Sequence, residues 1–290
     1  MMSNTLPDTL SIKRITVALD GSSHSKASLS IATDIARALN AEINGIYVED
    51  INLLRMASLP FAEEIDRLSG RREPVDSAGL ERSLQLQARQ AGQMLRQAAE
   101  RFRLAHSFRT LRGQVAAQVL AEALSSDLLV LGKTGKTPVC RKKMGTTAKA
   151  VITSGTTSIL LMRSGFSIQE PLLVLFDGSH GAAAALVTTA AIADKSTHIH
   201  VLLIANSPEK AEKLKESAKT LLPPTCNVTF HETPWTDIAM LQQCIGMIGS
   251  GLVVASDTEG TLSKESMHEL IEKLDYPVLL IRKSTQQPLP

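Results

Sequence analysis

The residues best equipped for chemistry are three glycines with a fixed rhythm: Gly132, Gly135 and Gly145, with two and then nine residues between them. The first two follow the apolar run Asp127-Leu-Leu-Val-Leu131. Glycines straight after a strand let the backbone turn tightly and approach a ligand closely. Gly145 is followed by Thr146 and Thr147 at a predicted helix start, where free N–H groups and hydroxyls suit an anion. No acidic residue lies between Asp127 and Glu170, whereas Lys133, Lys136, Arg141, Lys142, Lys143, Lys149 and Arg163 do. Glycine backbone plus unopposed cations point to phosphate. The pattern is not a P-loop, because that loop needs glycine at position 130, where Val130 stands.

The elements that must position these residues are written twice. Ile15-Thr-Val-Ala-Leu-Asp20-Gly21-Ser22 is echoed by Leu172-Leu-Val-Leu-Phe-Asp177-Gly178-Ser179. Each is a buried strand ending in Asp-Gly-Ser, with Ser22 and Ser179 as N-caps of alanine-rich helices over 25–40 and 181–195. Second strands follow at 41–48 and 198–204. Later strands are predicted at 127–131 and 251–255, and final apolar strands at 158–163 and 277–282. Strands alternating with helices at this spacing predict an α/β fold of two tandem doubly wound, five-stranded parallel-sheet (Rossmann-like) domains. Their spans are 12–165 and 171–284, with a seam over Gly165 to Pro171. The first copy carries an insertion at about 49–76 and then a helix from about Ser77 to Phe102. So long a connection reads as a lid, a partner surface or a mobile loop, and its Leu/Met/Phe pattern as packing.

In open parallel sheets ligands sit beyond the carboxyl ends of the strands, where the winding reverses. That rule brings Leu19, Asp20 and Gly21 beside Leu131, Gly132, Lys133, Gly135, Gly145, Thr146 and Thr147. Asp20, acceptor-only when ionised, suits ribose hydroxyls or a phosphate-borne Mg²⁺. Tyr47-Val48 would line an adenine together with Leu131 and Leu19. The second copy reads Ser256-Asp-Thr-Glu-Gly260 with no third glycine, so acids replace lysines and its site is degenerate.

These residues resemble the universal stress protein family. The Val-Ala-Leu-Asp-Gly-Ser opening and the Gly-x2-Gly-x9-Gly-Thr spacing carry the likeness, over nearly the whole chain outside 1–11 and the insertion. The resemblance implies ATP, because members with the glycine pattern bind it and members without it generally do not. It implies Gly132, Gly135, Gly145 and Thr146 as the phosphate cradle and Asp20 as the polar anchor. It also implies either a homodimer through the final strand or an intrachain pseudo-dimer. The unusually basic spacer and the bare Asp177-Gly178 of the second copy depart from the pattern.

Composition narrows the rest. A net charge of +2 and only 3% aromatics argue against a nucleic-acid surface. No run has the length of a membrane span, and 1–9 lacks the apolar core of a signal peptide. Three scattered cysteines indicate a reducing cytoplasm. Cys140 reads as an incidental thiol, His198 and His200 as strand surface, and His24 and His180 as helix surface near the Asp-Gly-Ser turns. No nucleophile, base or acid–base pair can be assembled, so no catalytic residue is expected. The sequence therefore predicts an ATP-binding regulatory protein of the stress response that meets an unidentified protein partner. A slow Mg-ATP hydrolase or phosphotransferase, and a nucleotide-free scaffold, are the alternatives. AMP or a cyclic nucleotide in place of ATP stays open.

Overall fold

The computed structural model describes residues 12–66, 69–135, 144–163, 165, 171–234, 237–249, 251–258 and 260–282. In the first half the order is β1 (Arg14–Ala18), α1 (Ser23–Leu39), β2 (Glu42–Asp50), α2 (Ile51–Ala57), β3 (Glu63–Ile65) and β4 (Arg72–Pro74). It continues with α3 (Ser77–Arg101), β5 (His106–Gly113), α4 (Val115–Ala123), β6 (Leu128–Gly132), α5 (Thr146–Ser154) and β7 (Ser158–Met162). The second half runs β8 (Leu172–Phe176), α6 (His180–Ile192), β9 (His198–Ala205), α7 (Pro208–Leu221) and β10 (Asn227–Pro234). It closes with α8 (Ile238–Ile248), β11 (Leu252–Ser256), α9 (Lys264–Lys273) and β12 (Val278–Ile281).

Each half is a parallel five-stranded sheet of the same winding, β5-β2-β1-β6-β7 and β10-β9-β8-β11-β12. The two are joined into one ten-stranded sheet where β7 and β12 pair antiparallel, with Val278 opposite Leu161 and Leu280 opposite Ile159. The sequence reading left open what the two final strands do; here they consume each other. Central strands such as β7 and β8 are buried at every residue, as sheets covered by helices on both faces must be.

Local signals account for the helices. Ser22 Oγ accepts from the Ser25 N–H at 3.1 Å, and Ser179 Oγ from the Ala182 N–H at 3.2 Å, so both expected N-caps close their helices. Asn40 ends α1 in the left-handed conformation at φ 51°. One face of the sheet packs on α1, α3, α6 and α7, and the other on α4, α5, α8 and α9. Helices α1 and α6 also touch across the seam.

The insertion departs from expectation. Asp50 caps α2 directly off β2, and a short antiparallel β3/β4 hairpin follows. Met56, Phe61 and Ile65 are 59%, 77% and 58% exposed, so the apolar pattern read as packing lies largely on the surface.

Candidate functional site

The crevice begins with β1 and β6, parallel neighbours in which Ile15 is level with Leu128 and Val17 with Val130. After β1 the chain crosses to α1 on one face, and after β6 to α5 on the other. Their carboxyl ends therefore open on a point where the winding reverses. Asp20, Gly21 and the Gly132–Gly135 segment emerge there together. Gly21 turns with φ 77°, a conformation that a side chain would strain.

The glycine segment is held from both sides. A Cβ on Gly132 would meet His24 Cβ at 3.0 Å, and Thr134 Oγ1 lies 3.0 Å from His24 Nε2. The Gly145 N–H donates to Lys133 O at 2.9 Å, which brings the third glycine onto the first two. A Cβ on Gly135 would meet no described atom within 4 Å. Gly145 is the N-cap of α5 and supplies no side-chain acceptor. The N–H groups of Thr146, Thr147 and Ala148, in the first turn of α5, thus lack intrahelical partners. With the helix dipole they form a site of positive potential.

Asp20 and its counterpart Asp177 differ in one oxygen. Asp20 Oδ1 accepts the Ser22 N–H at 2.9 Å, and no described residue reaches its Oδ2. Asp177 Oδ1 likewise accepts the Ser179 N–H at 3.0 Å, but its Oδ2 accepts the Thr261 N–H. Hydrogen bonds from Thr261 and Ser179 outweigh burial and hold the Asp177 carboxyl below its ordinary value. The space beside it, lined by Ser256, Gly260 and Leu262, holds only about 10 Å³. The second copy has closed on itself.

Lys133 requires a correction. Its side chain is 4% exposed and leads away from the crevice, with Nζ donating to Ile271 O at 2.6 Å and to Leu274 O. Its N–H is bound to Met162 O. The ammonium therefore caps the carboxyl end of α9 in the other half, and it is not placed to meet a phosphate. Burial, with Arg163 adding to it, lowers its pKa to about 8. The seam answers in the opposite direction. Arg282 reaches the carbonyls of Ile152 at 2.5 Å and Gly155 at 2.7 Å at the end of α5, while Asp257 holds it at 2.6 Å.

The expected adenine wall also divides. Leu19 and Tyr47 belong to the α1/α3 face, and Leu131 and Val48 to the opposite face. Tyr47 is further tied through its hydroxyl to Gln87 Oε1 at 3.1 Å. These four side chains do not make a single surface. Lys136, Cys140, Arg141, Lys142 and Lys143 lie outside the described residues.

His24, expected on helix surface near the Asp-Gly-Ser turn with reach toward a phosphate as the alternative, touches the glycine segment; its place four residues after Asp20 is the signal. His198 and His200 are joined by His231, whose Nε2 lies 2.8 Å from His200 Nδ1. No group of three or more possible ligands is arranged to hold a metal among the described residues.

A model of the universal stress protein family matches residues 11–163. The chain belongs to the universal stress protein family. A universal stress protein of Methanocaldococcus jannaschii is 27% identical over 153 residues, spanning 52% of this chain and 82% of that one. The solved structure of a universal stress protein from Archaeoglobus fulgidus covers 95% of this chain and 99% of its own at 13% identity, with TM-score 0.66. A functionally unknown protein from Pseudomonas aeruginosa matches at 12% identity over 95% of this chain and 94% of its own, with TM-score 0.57. At such identities the two structures speak for the fold. Among the described residues no helix is long and apolar enough to cross a membrane.

Proposed function

We propose that this universal stress protein is a regulatory nucleotide-binding protein that takes one ATP per chain, in the first half only. The halves act as two domains, 12–165 and 171–284, the second a packing partner for the first. The supporting observation is the contrast between equivalent carboxylates: Asp20 keeps an oxygen that no described residue engages, whereas Asp177 is occupied by its own loop. The start of α5, which has no side-chain cap, supplies N–H donors of the kind a triphosphate needs, and a Cβ on Gly135 meets no described atom. Asp20 would take ribose hydroxyls or a Mg²⁺ carried by the phosphates. Nucleotide bound there would then change the surface offered to a protein partner.

Mass spectrometry of the small molecule that co-purifies, with calorimetric titration, tests this reading. One adenine nucleotide per chain is expected, with affinity reduced about tenfold by Asp20→Ala through loss of a charge-assisted contact. Two sites per chain, or none, would overturn it.

A further inference from the structure

A trough of about 690 Å³ runs along the outer margin of the first half, between α3 and β5, far from the glycine segment in the sheet order. Its floor is Gly92 and Phe108, and its walls carry Arg89 and Arg96 from α3 and His106 and Thr110 from β5; the acid in its lining, Glu49, is already paired with Arg112 at 2.7 Å. Gly92 has a steric reason: a Cβ there would come within 2.9 Å of the Phe108 ring.

Two features define what fits. The first is charge. Arg89 and Arg96 are two turns apart on one face of α3, roughly 10 Å along the axis. Neither has an ion pair or hydrogen bond among the described residues. Other arginines of the helix are engaged, Arg82 with Asp76 and Arg101 over the Phe102 ring. The second is the backbone. Strand β5 ends the sheet, and its eight residues pair only with β2, leaving alternate N–H and C=O groups facing outward. The α3 wall extends from Gln85 to Arg96, roughly 16 Å at the helical rise, which is the length of about five extended residues.

We propose that this trough receives an extended acidic segment of a partner protein. The segment adds to β5 as a further strand, and its carboxylates engage Arg89 and Arg96. Main-chain hydrogen bonds along the sheet margin supply affinity, and the arginines select acidic side chains. A small anion uses only the arginines; an extended chain uses both them and the strand edge.

The test uses the full chain and a fluorescein-labelled octapeptide of alternating glutamate and valine. Saturable binding of one peptide per chain is expected, with new hydrogen-exchange protection confined to 106–113. Arg89→Glu with Arg96→Glu should weaken binding at least tenfold while leaving thermal unfolding unchanged. Methylation of alternate peptide nitrogens should weaken it similarly, since the strand pairing is lost. Several results overturn the proposal: no saturable binding at millimolar peptide, binding indifferent to the double reversal or to N-methylation, protection at β10 instead, or displacement by an equal concentration of free glutarate.

Discussion

Gly132 and Gly135 share a residue type but not a reason for it. Gly132 lies against His24, so Gly132→Ala must push His24 aside and should cost about 1–3 kcal/mol in a denaturant melt. A Cβ on Gly135 meets no described residue, so Gly135→Ala should leave stability within about 0.5 kcal/mol. If the site takes a triphosphate, the same methyl should weaken nucleotide binding in calorimetry, separating ligand loss from fold loss. Lys133 makes a different prediction. Its folded pKa of about 8 lies below the ordinary 10.5, so the unfolded chain binds more protons between those values. Stability from this group therefore rises with pH through that window, by up to about 3 kcal/mol, and is absent below it. Lys133→Met should flatten the rise measured by chemical denaturation from pH 7 to 10.5. Both caps, Ser22 and Ser179, were legible because their roles are local. The destination of Lys133 was not, because a long side chain in a loop goes wherever its distant partners, here Ile271 and Leu274, allow.

Elements were legible in proportion to their burial. Strand β6 is an unbroken apolar run and α3 opens and ends within a residue of expectation, whereas β5 alternates exposed polar residues at the sheet margin and carries little apolar signal. Spacing alone required a third strand in each half without saying where it lay. The insertion shows the converse failure. Leucine, methionine and phenylalanine between prolines looked like packing, but nothing in one chain's pattern distinguishes a buried stripe from an exposed one. Phe61→Ser and Ile65→Ser should therefore change unfolding free energy by no more than about 0.5 kcal/mol. Leu95, by contrast, is fully buried on the inner face of α3 against Gly45, and Leu95→Ala should cost about 2–5 kcal/mol in the same assay.

At the scale of the whole molecule, the internal repeat foretold two similar halves, and the family resemblance offered final-strand pairing either between two chains or within one; the residues did not decide between them, since both final strands are equally apolar. Ser158 Oγ accepts the Arg282 N–H at 3.0 Å at the β7/β12 junction, and Arg282, held in a buried ion pair by Asp257 of its own half, donates across the join to the Ile152 and Gly155 carbonyls. Arg282→Ala leaves Asp257 uncompensated, and a loss of about 3–5 kcal/mol is expected by chemical denaturation. A chain ended at Gly165 would bare β7, whose five residues are all buried in the full protein. Such a fragment should self-associate in sedimentation, whereas the intact chain gains nothing from that strand.

The covalent link has a consequence for copy number. Two separate subunits joined along such a strand part company on dilution and can exchange mates with any relative bearing a similar one. Here the companion half is tethered, so its effective concentration does not depend on expression level. Lys133 keeps its anchor on α9 whether the cell holds ten molecules or ten thousand, and foreign strands find no vacancy at the centre.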